Sequence, residues 1–182
     1  RKLMTKFTDQ FKLFTKTLAA WFVIFMALAA LTFATTSSPI IKKLKNDLLP
    51  PNITLIVTDP LDAFVTQTQV SLLTAFVITL PLLIWKLLAF ITPAMYPQEK
   101  NVSIKLVIFS TTLFGLGGLM AYKLVLPETI RFLYGYAVAL DTLPLISLKN
   151  FISFSLSIIL SSGLMFTTPV CMILLCQTKI VK

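Results

Sequence analysis

A single carboxylate, Glu99, stands in a short polar turn between two long apolar stretches. It precedes Lys100 and follows a run, Phe90–Tyr96, that mixes prolines with aromatics. A carboxylate accepts two parallel hydrogen bonds from a guanidinium, whereas an ammonium offers it only a point charge. At a membrane surface the effective dielectric is below that of water, so such a pair is stronger there than in solution. The chemistry within reach of Glu99 is therefore recognition of a cationic, arginine-bearing peptide, with Phe90, Pro93 and Tyr96 available to shape the socket. A local role is open to the same residue. With Pro97 at the first helical position, Glu99 falls in the first turn of the next helix, where the helix dipole favours an acid. Both roles can hold together.

The segments that must position this turn are built for lipid. Of 182 residues, 57% are hydrophobic and 13% charged, which points to a bilayer as solvent. Four stretches, about Leu18–Thr36, Val70–Phe90, Val107–Leu126 and Phe151–Cys176, are long enough to cross a hydrocarbon core of roughly 30 Å at about 1.5 Å per residue. The first is too long, and too far from a cleavage-like site, for a removed signal peptide. An all-α polytopic membrane protein is expected, forming one transmembrane domain over residues 1–182 without internal repeats or low-complexity linkers. The chain begins at Arg1 and stops six residues after Cys176, so it is expected to be a piece cut after its fourth span.

The formal charge is +9, from 16 basic and 7 acidic residues. A nucleic-acid-binding protein could carry that excess, but here the charges are sorted by loop. Arg1, Lys2, Lys6, Lys12 and Lys16 precede the first span against Asp9 alone, while Lys42, Lys43 and Lys45 of the next loop are cancelled by Asp47, Asp59 and Asp62. The positive-inside tendency then places the N-terminus, the Glu99 turn and the C-terminus in the cytoplasm.

Local signals mark the elements. Ser38-Pro39 reads as a helix start, with Ile41, Leu44 and Leu48 on one face and Lys42, Lys43 and Lys45 elsewhere: a short amphipathic helix at the lipid–water boundary, ended by Pro50-Pro51. Asp59-Pro60-Leu61-Asp62 reads as a second start, with Asp59 as N-cap. A helix from there to Phe90 would measure roughly 46 Å, so Thr66, Gln67, Thr68, Gln69 and Ser71 are expected to project beyond the lipid as a polar cap. Gly115 and Gly118 share a face that permits close helix approach. Pro127-Glu128 opens an outer segment with Ile130, Leu133 and Tyr134 on one side, and Pro81 and Pro169 are expected to bend their helices.

Enzyme chemistry finds no support. The chain has no His, no phosphate-binding loop and no acid within a span. Cys171 and Cys176, five apart on one apolar helix, are too few for a zinc or iron–sulfur site and read as small buried residues. Asn52-Ile53-Thr54 and Asn101-Val102-Ser103 match a glycosylation pattern that is common by chance. No metal or cofactor is expected.

The run Thr58-Asp59-Pro60-Leu61-Asp62-Ala63-Phe64, then Leu80-Pro81, Ala89-Phe90-Ile91-Thr92-Pro93-Ala94-Met95-Tyr96 and Glu99-Lys100, resembles the TatC family. Leu113-Phe114, Ala121-Tyr122, Leu126-Pro127, Ser153-Phe154 and Phe166-Thr167-Thr168-Pro169-Val170 extend the similarity over nearly the whole chain. The resemblance implies a signal-peptide receptor and core subunit of the twin-arginine protein translocase. It would have six spans and assemble in several copies with small single-span TatA-type, and often TatB-type, subunits. Folded proteins with paired arginines in their signal peptides would be exported at the expense of the proton-motive force. The membrane would be a prokaryotic cytoplasmic membrane or an organellar inner or thylakoid membrane. Glu99 then becomes the signal-peptide carboxylate, with Phe90, Pro93 and Tyr96 around it. The family's second carboxylate lies in a His-Leu-x-Glu-Leu-Arg-type motif before the first span; here Lys6-Phe7-Thr8-Asp9-Gln10-Phe11-Lys12 offers only Asp9. Two departures stand out: Thr167 occupies the usually acidic position of the fourth span, and Lys86 stands where the family has Gln.

A different class of function, a small-solute or ion transporter, would place its site between helices broken at Pro81 and Pro169. The lack of ionisable residues near the bilayer centre weighs against it.

Overall fold

The computed structural model describes residues 2–49, 54–91, 100–139 and 145–177 of the chain. The elements run α1 (Lys2–Thr35), α2 (Ser37–Leu48), β1 (Thr54–Ile56), α3 (Asp62–Ile91), α4 (Lys100–Met120), a π-helical turn (Ala121–Val125), α5 (Leu126–Ala139), β2 (Leu145–Ser147) and α6 (Leu148–Gln177). Four segments are long and apolar enough to span a membrane: Thr15–Thr35, Asp62–Lys86, Lys105–Tyr136 and Leu148–Val170. The all-α polytopic expectation holds, with one addition: β1 and β2 pair in parallel, Thr54 opposite Leu145 and Ile56 opposite Ser147.

Side-chain bonds fix the helix register. Thr32 Oγ1 donates to the Ser71 carbonyl, Gln67 Nε2 to that of Phe33 and Trp21 Nε1 to that of Thr79, so α1 and α3 run antiparallel. Ser162 Oγ donates to the Gly117 carbonyl at 2.9 Å, and α4 and α6 are likewise antiparallel. One end of the bundle, here the cap, therefore gathers α2, the strands, α5 and the starts of α3 and α6. The other, the turn end, gathers the start of α1, the end of α3, the start of α4 and the end of α6.

The cap holds the larger core. Leu44, Leu48 and Leu49 from α2 and its end meet Val70, Leu126, Ile130, Phe151, Ile152 and Leu156. The lysines of α2 stay exposed, so its amphipathic pattern is as expected. Its apolar face, however, packs onto the protein and not onto lipid. The helix also starts earlier than Ser38-Pro39 implies: Thr36 is the cap residue, with no side-chain cap bond. Pro39 has no N–H to offer the Thr35 carbonyl, which accounts for a break between α1 and α2 just before it.

The start of α3 follows its sequence. Asp59 Oδ1 accepts the Leu61 N–H at 2.9 Å, and Asp62 Oδ2 accepts the Asp59 N–H at 3.2 Å. This reciprocal pair satisfies two donors that a bare helix end would orphan. Asp62 is buried and also meets Lys149 Nζ at 3.4 Å, tying α3 to the start of α6.

Three expectations need correction. Thr66 and Ser71 are buried, and Gln67 and Gln69 bond to Phe33 and Ser153, so this polar run stitches α3 to its neighbours and is not a solvent-facing surface. Polar groups in an apolar interior need partners, and those partners lie at the same level on α1 and α6. The tightest approach of α4 to α6 is at Gly117, where an added Cβ would meet the Ser162 carbonyl at 2.8 Å; a Cβ at Gly118 would meet Ile159 at an ordinary 3.5 Å, and Gly115 has open space around it. Finally, α4 continues through the π turn into α5, with the Leu126 N–H bonded to the Ala121 carbonyl. Pro127 cannot serve the Lys123 carbonyl, and a wider turn accommodates the loss. Within α5 the inward residues are Leu126, Ile130 and Tyr134, four apart, while Leu133 is exposed.

Both α3 and α6 run through Pro81 and Pro169 without interruption. The broken helices that a midplane solute site would use are not found among the described residues.

Candidate functional site

The turn end is where the sequence concentrates its recognition chemistry. Ile91 closes α3 and Lys100 opens α4, so the Glu99 turn joins two antiparallel helices at that end. Pro93, Tyr96 and Glu99 themselves lie outside the described residues. Phe90 falls in the last turn of α3 and Asp9 in the first third of α1; their side chains lie outside those described.

Backbone register still relates these positions. Trp21 meets Thr79, Gln67 meets Phe33 and Thr32 meets Ser71, so the paired numbers on α1 and α3 sum to 100–103. Carried along straight helices, that register sets position 9 at about the level of Ile91, the last residue of α3. Phe76 packs edge-on against Phe114, with ring centroids 6.4 Å apart, which brings Phe90 level with Lys100 across α3 and α4. Among the described residues, the backbone at Phe90 and, by register, the backbone at Asp9 lie at the turn end.

On α3 and α4 the described side chains nearest the turn are basic. Lys86 and Lys105 are both exposed, on neighbouring helices and at nearly the same level. Two cations on the helices that carry the Glu99 turn disfavour a third charge of the same sign nearby. Charge attraction alone is therefore a weak basis for binding, and a planar guanidinium able to make two directed bonds has the advantage over an ammonium. Lys86 makes no ion pair among the described residues. The departure at Thr167 is also structurally mild: its hydroxyl donates to the carbonyls of Gly163 and Leu164 on its own helix, at 3.1 and 2.7 Å.

One feature escaped sequence reasoning. A groove of about 430 Å³ opens between α1, α3 and α6, lined chiefly by Phe25, Leu72, Phe76, Leu160 and Leu164, with the Gln69–Ser153 pair at its edge. Ser153 Oγ donates to Gln69 Oε1 at 2.8 Å. The signal was present in the polar run Thr66–Ser71, but the run reads as solvent-facing until α6 is known to lie beside it. Among the described residues no group of His, Cys, Asp and Glu could hold a metal ion. Cys171 and Cys176 both lie on α6, with side chains outside those described.

Known proteins share this architecture. The family described as Sec-independent protein translocase protein (TatC) matches residues 11–182. The TatC protein of Aquifex aeolicus is 33% identical over 132 residues, covering 72% of this chain and 55% of that protein. The TatC protein of Escherichia coli K12 is 28% identical over 180 residues, covering 96% of this chain and 66% of that protein. The crystal structure of a twin-arginine translocase receptor, TatC, superposes with a TM-score of 0.84 at 27% identity, covering 95% of this chain and 77% of that one. This chain therefore spans little more than half of the first relative and about two thirds of the second. A match over nearly all of its length, carried on a bundle of apolar helices, makes it a multi-pass membrane protein that belongs to the TatC family of Sec-independent protein translocase proteins.

Proposed function

We propose that the chain forms the signal-peptide-binding core of a twin-arginine translocase, with the turn end facing the cytoplasm. Glu99 pairs with a signal-peptide arginine, Phe90, Pro93 and Tyr96 shape the pocket, and Asp9 supplies a second anion from α1. Small single-span TatA-type subunits, with or without a TatB-type subunit, dock on the lipid-facing surfaces, and several copies assemble. Folded cargo then crosses at the expense of the proton-motive force. No bond is made or broken by the chain itself.

The observation that carries this reading is the coincidence of family and placement. The segment most like TatC, Thr58 to Pro127, includes the one turn whose carboxylate can read a guanidinium. The α1 register, which brings position 9 toward the end of α3, supports pairing Asp9 with the turn. The exposed apolar faces add room for helical partners: only 11% of the first span's window is buried.

Site-specific photo-cross-linking tests the reading. A twin-arginine signal peptide carrying a photoreactive group beside its arginines should cross-link to the turn in membranes. The Glu99→Gln protein should insert normally and lose the adduct. An undiminished adduct, or topology mapping that puts residue 99 outside the cell, contradicts the proposal.

A further inference from the structure

The outward face of α5 is the least expected surface of the cap. Phe132, Leu133 and Tyr136 are 64%, 54% and 61% exposed, and the Phe132 and Tyr136 rings pack edge to face, 5.0 Å between centroids. The opposite face is apolar too, with Leu126 and Ile130 buried in the cap core. A helix facing water is polar on that side; here three large apolar side chains share the exposed side with a single charged pair. The two charges of α5, Glu128 and Arg131, pair with each other at 3.3 Å, leaving the face without net charge.

Geometry indicates what that face meets. The apolar rod Lys105–Tyr136 is 32 residues long, or roughly 48 Å, against a hydrocarbon core of roughly 30 Å. Exposed apolar residues nevertheless recur along it from Ile108 and Phe109, through Leu116, Leu119 and Leu124, to Phe132 and Tyr136, with exposed Lys123, Glu128 and Arg131 flanking the step between the last two groups. A surface that follows on from the lipid-facing side of a span, and ends in aromatics beside an arginine, has the composition of a membrane–water boundary. The π turn lies where the rod would leave the bilayer if it stood upright.

We propose that α5 is an interfacial anchor, its Phe132–Leu133–Tyr136 face embedded in phospholipid at the headgroup–acyl boundary of the cap-side leaflet. The cap then rests on the membrane along this edge and does not stand free in water, and the π turn lets the rod lean to reach it.

Nitroxide labels read this directly. Cysteines replace Phe132, Leu133 or Tyr136 singly, in a Cys171→Ser, Cys176→Ser chain reconstituted into phosphatidylethanolamine–phosphatidylglycerol vesicles. Leu119→Cys and Lys43→Cys serve as the lipid-facing and water-facing references. The ratio of oxygen to nickel-chelate accessibility at the α5 sites should exceed that at Lys43→Cys at least about threefold and report a depth within roughly 5–10 Å of the headgroups. A ratio equal to that at Lys43→Cys overturns the proposal. So does low accessibility to both reagents, which marks a protein neighbour such as a second copy. If one labelled variant fails to insert, the other two report the same face.

Discussion

The two ends of this bundle are held by different means. At the cap, α3 is joined to α1 and α6 by directed polar bonds: Thr32 to Ser71, Gln67 to Phe33, Ser153 to Gln69 and Lys149 to Asp62. These sit over a core that runs from Leu44 to Leu156. Toward the turn end the described core narrows to Leu106, Val107 and Val170, with Ile84 and Leu113 against them, and midway along the bundle the α4–α6 seam combines close approach with the Ser162–Gly117 hydrogen bond. Gly117 lets the Ser162 backbone approach, and Gly163 receives the Phe114 ring. Inside a bilayer apolar side chains gain little by leaving lipid for protein, so close packing and interhelical hydrogen bonds must do the holding. Among the described residues the cap is fastened by a dense set of directed bonds over a large core, and the helices below it by close approach with fewer such bonds.

The comparison can be broken at its tightest point. Gly117→Ala should destabilise the protein by about 1–3 kcal/mol, because the new Cβ meets a backbone carbonyl that cannot rotate away. Gly115→Ala, in open space two residues earlier, should be neutral or stabilising by up to about 1 kcal/mol. Thermal unfolding of the two variants in detergent separates them; equal shifts would remove Gly117 from the seam.

A somewhat smaller loss is expected at the cap. Asp62→Ala removes the acceptor for the Asp59 N–H and the partner of Lys149, and should cost about 1–2 kcal/mol. Amide exchange should then accelerate at the first turn of α3 while the α4–α6 seam keeps its protection. Acceleration at both ends alike would mean that the two regions are not independently held.

The smallest effect concerns the groove edge. A double-mutant cycle of Gln69→Ala and Ser153→Ala should give a coupling of about 0.6 kcal/mol, the usual size for a hydrogen bond between membrane helices. A coupling indistinguishable from zero would leave the α3–α6 contact resting on packing alone.

Much of this architecture was legible in the sequence, for reasons that also explain the misses. Twenty apolar residues in a row admit few structures in lipid, so the spans could be read directly. The α3 start was readable because Asp59 and Asp62 act within one turn of chain. Features depending on a distant partner were not. β1 and β2 are three residues each and pair across more than eighty positions, with no local pattern strong enough to announce them. Gly115 and Gly117 differ only in which faces Ser162, and the Thr66–Ser71 run changes meaning once α1 and α6 stand beside it. The candidate site divides the same way. Glu99 was conspicuous as a lone acid in a basic turn. The alignment of Asp9 with the end of α3 emerges only from helix register, and the groove beside Gln69 only from three helices together.

The central claim is that Glu99 reads a guanidinium, and a peptide-binding cycle in reconstituted membranes tests it most directly. Wild-type and Glu99→Gln proteins are each titrated with a twin-arginine signal peptide and with its twin-lysine counterpart. A charge-assisted pair predicts a coupling of about 1.5–3 kcal/mol, with the lysine substitution costly for the wild type and nearly silent in Glu99→Gln. Equal penalties for lysine in both proteins would place the arginine contact elsewhere and contradict the account.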